Sequence, residues 1–362
     1  MDEVFMKRAL ELAKKARGNT SPNPCVGALI VKGGKIIGSG YHKKSGTDHA
    51  EIVAIKDALV KKNSLKGSVL YSTLEPCCHV GRTGPCVEAI IQFGIKKVVI
   101  AHKDPSKKVN GKGINFLKKH GVEVLVGVLE NEARMLNQSF LKIAKVGVPF
   151  VTIKAGMTLD GKIATAKNVS KWITGKAARE DSHELRGFYD AIVVGANTVI
   201  SDNPTLDGGR KGDSPLLRVV VDGRLRVNPS SKVFRDSNVL VACSDKADSK
   251  KIEKFRSKGI KVESFGKSRV SIKRLLKFLY DKDCVQSVFV EGGGGVNGSF
   301  VDEGLVDDVY FYIAPMIIGG RDAVSVVGGK GISDLKKSLK MKTVDVKMLK
   351  DDILVHGIVN KY

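Results

Sequence analysis

The sequence predicts an α/β protein built from two domains, and three observations carry that reading. Its 362 residues exceed one ordinary core and suit two domains of roughly 100–200 residues each. Along the chain, apolar residues alternate between helical and strand spacing. The alternation breaks at Lys145-Val146-Gly147-Val148-Pro149, which divides the chain into 1–146 and 147–362. With 42% hydrophobic and 27% charged residues, the composition is globular and neither disordered nor fibrous.

Residues 4–16 carry apolar groups at helical spacing. Stretches 26–31 and 35–40 flank Gly33-Gly34 and read as a β-hairpin. A helix over 50–62, a strand over 68–72, a helix over 87–93 and a strand over 97–101 follow, then a helix–strand pair over 112–120 and 122–126. In the second domain, strands are expected at 150–154, 191–194, 217–221, 239–242, 262–265 and 288–290. Helical patterns at 177–186, 248–257 and 272–281 separate several of them, and 308–313 and 353–359 are candidates to close the sheet.

The chain holds 61 Lys+Arg against 38 Asp+Glu, a net charge of +23. Such an excess invites a nucleic-acid reading, because clustered cations neutralise phosphates and release counterions. Here the surplus is spread over both domains, aromatics are 6% of the residues, and no aromatic-interleaved basic motif is present. Anionic small molecules therefore outrank nucleic acid as its functional component. No apolar run approaches the roughly 20 residues that span a bilayer, and Met1-Asp2-Glu3 does not open a signal peptide, so the expectation is a soluble cytoplasmic protein. Of six cysteines, Cys77, Cys78 and Cys86 crowd beside a histidine, a spacing suited to metal or catalysis and not to a secreted disulfide framework.

The strongest local signal is His49-Ala50-Glu51 followed by the run from Glu75-Pro76-Cys77-Cys78-His79 to Gly84-Pro85-Cys86. One imidazole (His49) and two thiolates (Cys77, Cys86) leave a tetrahedral Zn²⁺ one position for water, as catalytic zinc requires. Glu51, at the start of a predicted helix, is placed to move that water's proton. H-x-E with P-C…C is the signature of zinc-dependent nucleobase deaminases. A structural zinc with His79 or Cys78 as fourth ligand, and a vicinal Cys77–Cys78 disulfide, are the other readings of the same residues. Cys25 reads as a small core residue.

Eight residues separate the two cysteines, where nucleic-acid and nucleoside deaminases usually place two. With that loop, residues 73–86 closely resemble the deaminase half of the bifunctional deaminase/reductase family of riboflavin biosynthesis. Ser21-Pro22-Asn23-Pro24-Cys25-Val26-Gly27 and Lys103-Asp104-Pro105 fit the same family. The resemblance implies a cytidine-deaminase-like α/β/α domain in which Asn23 and His79 hold the pyrimidine, Arg82 meets a substrate phosphate and Asp104 borders the pocket.

Residues 153–174 resemble the opening of the family's reductase domain, which implies a dihydrofolate-reductase-like α/β fold. The resemblance places Trp172, the chain's one tryptophan, and Gly156 at a nicotinamide cofactor, with Ser170 on substrate. The block 195–206 implies Thr198 and Asp202 at the cofactor and Leu206 at the substrate, with Arg186 as a phosphate ligand. The family's N-P-x-L-T-x-R is replaced by Asn203-Pro204-Thr205-Leu206-Asp207-Gly208-Gly209-Arg210, so the expected arginine is displaced by one residue. Gly293, Gly295 and Gly298 satisfy G-x-G-x-x-G, yet no acidic residue stands where a ribose hydroxyl needs one, against a Rossmann domain. The resemblance instead makes Gly293, Gly294 and Gly295 a dinucleotide cradle, with Glu291 facing the substrate and Lys154 near the reacting sugar carbon. Asp160 reads equally as a turn former or a functional group.

Together these residues imply a zinc deaminase of a phosphoribosylamino-pyrimidine joined to an NADPH reductase of its ribosyl group. The expected partners are phosphorylated pyrimidine substrates, with no nucleic acid and no membrane, in a homo-oligomer. Two rival readings remain: an RNA-editing deaminase with an RNA-binding second domain, marked by salt-dependent RNA binding without NADPH consumption, and a zinc-stabilised binding protein without turnover.

Overall fold

The computed structural model describes residues 1–79, 84–208 and 215–359. It divides into two compact units, Met1–Gly147 and Val148–Tyr362.

In the first unit the elements are α1 (Asp2–Lys14), β1 (Gly27–Lys32), β2 (Lys35–Tyr41), α2 (Ala50–Val60), β3 (Val69–Ser72), α3 (Cys86–Gln92), β4 (Lys97–Ile100), α4 (Lys112–Lys119), β5 (Glu123–Val126), α5 (Glu130–Leu136) and α6 (Gln138–Val146). One sheet runs β2-β1-β3-β4-β5, antiparallel across β2, β1 and β3 and parallel from β3 to β5. Gly33 and Gly34 take φ of +56° and +74°, which only a two-residue turn of such glycines supplies without strain. Alternate strand residues enter different cores. Ala28, Ile30, Leu70 and Val98 pack with Ala54, Ile90 and Leu117 of the helices on one face, while Leu29, Val31, Tyr71 and Val99 meet Phe5, Met6 and Leu10 of α1 on the other. The unit is therefore an α/β/α sandwich.

The second unit comprises β6 (Phe150–Thr158), β7 (Lys162–Ala164), α7 (Lys176–Arg186), β8 (Ala191–Gly195), α8 (Ala196–Asp202), β9 (Leu217–Val221), β10 (Val239–Cys243), α9 (Ser249–Arg256), β11 (Lys261–Ser264), α10 (Ile272–Asp283), β12 (Ser287–Val290), α11 (Gly294–Asp302), β13 (Asp308–Ala314), β14 (Val324–Ser325), β15 (Thr343–Leu349) and β16 (Asp352–Ile358). Nine strands order as β11-β10-β9-β8-β12-β6-β13-β16-β15, parallel from β11 to β13 and antiparallel at β16 and β15. Its strands are again covered on both faces: Val151, Val193 and Val288 face Leu275, Leu276 and Phe300, and Ile192, Val220 and Phe289 face Leu185, Val199 and Phe255. No helix among the described residues is long and apolar enough to cross a membrane.

Several elements depart from the sequence reading. The strand expected at 150–154 continues to Thr158, α5 and α6 fill a stretch given no structure, and β15 lies outside β16, so 353–359 does not close the sheet. Asp160 is a turn residue: its carboxylate accepts from Thr158 Oγ1 and from the backbone N–H groups of Ile318 and Gly319. Cys25 is buried among Ala13 and Ala16, and its backbone N–H donates to Asn137 Oδ1.

Gly298 shows how tightly α11 packs against the chain at Gly328 and Gly329. A Cβ there would stand 2.3 Å from the Gly328 carbonyl oxygen and 2.6 Å from Gly329 N. Alanine normally favours a helix over glycine by about 1 kcal/mol. Gly298→Ala should reverse that sign and lower the urea midpoint of the second unit, because the clash is with backbone that cannot rotate away. A raised midpoint would refute the close approach.

Candidate active sites

In the first unit the candidate site forms where β3 ends and α2 and α3 begin. His49 is the N-cap of α2, Glu51 lies in its first turn, and Cys86 opens α3. One Nδ1, or Nε2, of His49 and the Sγ atoms of Cys77 and Cys86 lie within 4.8 Å of one another. His49 Nδ1 is 3.4 Å from Cys77 Sγ and 3.3 Å from Cys86 Sγ. An imidazole and two thiols at that spacing match the donor set of a three-ligand zinc site. Among the described residues no fourth histidine, cysteine or carboxylate joins this cluster, and all six cysteines are free thiols. Cys78 packs against the apolar core and His79 is exposed, so neither supplies a fourth ligand here.

Glu51 is buried, with Oε2 3.7 Å from Cys86 Sγ and Oε1 3.1 Å from Ser72 Oγ. Burial first, and then the neighbouring Cys77, lift its carboxyl above the usual carboxylate range. Hydrogen bonding from Cys86, with His49 alongside, brings the Cys77 thiol down to about 4, while the same bond and burial push Cys86 up.

Two residues here escaped the sequence reading. His42 is buried, its Nδ1 donates to the Asp48 carbonyl at 3.0 Å, and its Nε2 accepts from Asn23 Nδ2 at 3.0 Å. That bond fixes the Asn23 amide so that its Oδ1 remains the free acceptor. Glu75, buried at the head of the cysteine loop, accepts from the backbone N–H groups of Asp104, Gly111 and Ile114 at 2.9–3.1 Å. It thereby ties the cysteine loop to the start of α4 and to Asp104, itself buried. A lone histidine and a lone glutamate carry no periodic or spacing signal, and their partners lie 6 to 39 residues away. Arg82 falls outside the described residues.

A cavity of about 820 Å³ opens in the second unit. The residues given cofactor, substrate or catalytic roles there line it: Lys154, Gly156, Ser170, Trp172, Arg186 and Thr198, and also Asp202, Leu206, Glu291, Gly293, Gly294 and Gly295, whereas Asp160 does not. Arg210 lies outside the described residues. At one end, Glu291 receives Arg186 Nε at 2.5 Å and Arg186 Nη2 at 2.8 Å, with Lys154 Nζ at 3.7 Å. Arg186 Nη1 donates to the Asp207 carbonyl. Burial lowers the Lys154 ammonium below its ordinary value in spite of Glu291. Burial would raise the Glu291 carboxyl, but Lys154 and Arg186 outweigh it and hold the group at about 2.

Gly293 is the N-cap of α11, and a Cβ at Gly295 would meet nothing within 4 Å. Bare amides at a nine-residue helix start, in a cavity of this size, fit a dinucleotide's pyrophosphate. Trp172 is 67% exposed in the cavity wall. Arg179, His183 and Arg226 also line the cavity and were not singled out from the sequence.

A metal-ligand cluster with a buried acid in one unit, and a glycine-cradled cavity with a lysine–glutamate–arginine group in the other, define a bifunctional enzyme: a zinc deaminase joined to a nicotinamide-dependent reductase. Residues 1–102 match the cytidine and deoxycytidylate deaminase zinc-binding region, and residues 149–355 match the RibD C-terminal domain. The chain is 41% identical over 362 residues to riboflavin biosynthesis protein RibD of Bacillus amyloliquefaciens, covering 99% of this chain and 96% of that one. To the Aquifex aeolicus RibD it is 42% identical over 356 residues, 98% of each chain. The solved RibD of Acinetobacter baumannii superposes with a TM-score of 0.87 at 35% identity, over 99% of both chains. A Thermotoga maritima structure, a diaminohydroxyphosphoribosylaminopyrimidine deaminase/5-amino-6-(5-phosphoribosylamino)uracil reductase, gives 0.86 at 39% identity, over 99% of this chain and 98% of that one. The chain belongs to the RibD family of riboflavin biosynthesis. A reductase family over the second unit leaves the RNA-editing reading without support.

The Glu291 cluster makes a pH-dependent prediction. A carboxyl held below its unfolded value stabilises the fold above about pH 4–5 and loses that contribution as pH falls toward its folded value. Glu291→Gln should therefore cost about 3 kcal/mol of unfolding free energy at neutral pH, because two partly buried cations lose their anion. The gap between variant and parent should narrow below about pH 4. Urea denaturation across that range is the check, and a gap that ignores pH would refute it.

Proposed function

We propose that the first unit removes the 2-amino group of a 2,5-diamino-6-(5-phosphoribosylamino)pyrimidinone, and that the second reduces the ribosyl group of the product to a ribityl chain with NADPH. The observation that carries this reading is the coexistence of two unlike sites in one chain: a buried carboxyl 3.7 Å from a thiol of the His49–Cys77–Cys86 cluster, and a lysine with a lowered pKa in a glycine-lined cavity.

His49, Cys77 and Cys86 hold the zinc, which supplies Lewis acidity to make water a nucleophile at neutral pH. Glu51 takes a proton from the attacking water at Oε2 and delivers it to the departing amine, a shuttle suited to a carboxyl whose pKa burial has raised. Asn23 offers its Oδ1 to the pyrimidine, oriented by His42; His79 holds the ring from the exposed side, Arg82 meets the phosphate and Asp104 borders the pocket. In the second unit NADPH supplies the hydride. Gly293, Gly294 and Gly295 would cradle its pyrophosphate, and Gly156, Trp172, Thr198 and Asp202, which line the same cavity, would help hold it. Lys154 delivers a proton from Nζ to the sugar oxygen as the ring opens, and Glu291, Ser170 and Leu206 position the ribose. Arg186 and Arg210 take the phosphate, Arg186 through the Nη1 that now rests on the Asp207 carbonyl. We place the enzyme in the cytoplasm, where its six free thiols stay reduced.

Glu51→Gln should abolish ammonia release with zinc content unchanged, whereas Lys154→Ala should spare ammonia release and cut NADPH oxidation by about 10²-fold or more. Metal analysis and the two assays, run on one preparation, decide. With the NADPH assay started from the already deaminated uracil, loss of both activities in either variant, with zinc retained, would overturn the two-site assignment.

The homo-oligomer reading is supported by β15, an edge strand on which Val344, Val346 and Met348 alternate outward at 50%, 65% and 61% exposure. An apolar sheet edge of this kind is a template for a second copy. Val346→Lys should shift the sedimenting species toward the monomer; a parent chain that already sediments as a monomer would refute the reading.

A further inference from the structure

We infer that Arg179 is a positioning residue for the reductase, acting by holding the indole of Trp172 in the cavity wall. The inference rests on the reading of this cavity as the NADPH site.

The indole is 67% exposed, so apolar packing does not fix it. The segment carrying it is tied at both ends. Lys171 Nζ lies 3.5 Å from Asp202 Oδ1, and Gly175 N donates to the buried Asp352 Oδ2 at 2.7 Å. Between those ties, and among the described residues, the partner of the Trp172 side chain is Arg179. The Arg179 guanidinium carbon stands 4.3 Å from the ring centroid, and Arg179 Nη1 donates to the Thr174 carbonyl at 2.6 Å. Arg179 sits in the first turn of α7, whose later residues Ser182, His183 and Arg186 also line the cavity. A helix thus holds a guanidinium over the indole, an arrangement worth about 0.5–2 kcal/mol depending on desolvation. An indole fixed in this way meets the cofactor without first losing its rotamer freedom, which is how preorganisation raises affinity.

Trp172 is the chain's one tryptophan, so its fluorescence reports this site alone. The experiment uses the full zinc-loaded chain, with NADPH as the probe. Arg179→Met keeps the bulk and removes the charge; Arg179→Lys keeps a cation. For Arg179→Met we expect lower Trp172 emission anisotropy and an NADPH Kd raised about threefold to thirtyfold, the range that the interaction energy converts to. Arg179→Lys should recover part of both. Calorimetric Kd values in a Trp172→Leu background add the decisive arm: there Arg179→Met should have no further effect, since its partner is gone. A Kd penalty persisting in that background would show Arg179 touching the cofactor directly and overturn the inference. So would unchanged anisotropy and Kd in Arg179→Met, when the parent's Trp172 emission responds normally to NADPH. A parent whose emission ignores NADPH would overturn the cofactor placement itself, and this inference with it.

Discussion

Glu291 is the carboxylate on which the second unit's site depends. It follows β12, and its oxygens receive Arg186 from the end of α7 and Lys154 from β6. Without that negative charge two cations would face each other in a half-buried setting, where the effective dielectric is far below that of water. Arg186 extends the same constraint, because its remaining Nη1 holds the Asp207 carbonyl next to Leu206. One carboxylate therefore sets the relative position of a strand, a helix end and a loop. It also sets the chemistry, since the partner that keeps Lys154 in place works against the burial that lowers its pKa.

Acidic groups play that organising role throughout a chain with a surplus of base. There are 61 basic against 38 acidic residues, yet the buried charged side chains are mainly acidic: Glu51, Glu75, Asp104, Asp190, Asp222, Asp307, Asp308 and Asp352, against Lys142 and Arg218. The reason lies in donor and acceptor supply. Loops and helix starts leave backbone N–H groups without partners, and a carboxylate is a compact, acceptor-only side chain that can take several at once. Glu75 takes three, Asp190 takes those of Gln286 and Ser287, and Asp222 takes those of Arg226 and Val227. With acids drawn inward, the surface is left more basic than the composition alone suggests.

What the sequence makes legible follows from where each signal is stored. The strands of both cores announce themselves by continuous apolar runs, because they are buried on both faces. The His49–Cys77–Cys86 cluster and the glycine run 292–295 are short motifs whose chemistry is local. Helices α5 and α6 were not legible because their segments carry few buried positions, such as Ala133 and Leu141. Strand β15 alternates toward solvent and not toward a core, so its pattern reads as surface. His42, Glu75 and Arg179 gain their roles from partners brought by tertiary structure, across 19 residues for His42 and up to 39 for Glu75. For Arg179 the signal was a basic stripe over two helical turns, Arg179, His183 and Arg186, which a solvated face would also show.

Sandwiched strands leave little room for chemistry along their length, which explains why both sites sit where strands stop and helices start. In the first unit Ser72 ends β3 while His49 and Cys86 stand at the heads of α2 and α3. In the second, Glu291 follows β12, Gly293 caps α11 and Thr198 lies in the first turn of α8. Lys154 is the exception, lying midway along the nine-residue β6. Strand β12 has four residues, and its ladder to β6 ends at Val290 opposite Ile153. Lys154 is thus the first residue of β6 beyond that ladder, while on its other side it still pairs with Tyr310 of β13. A short strand beside a long one opens a notch in the sheet, and the residue that fills it, Glu291, is the anion Lys154 requires. A β12 one residue longer would carry Glu291 into the ladder, where alternation would decide its face; the Lys154–Glu291 pair depends on that difference in strand length.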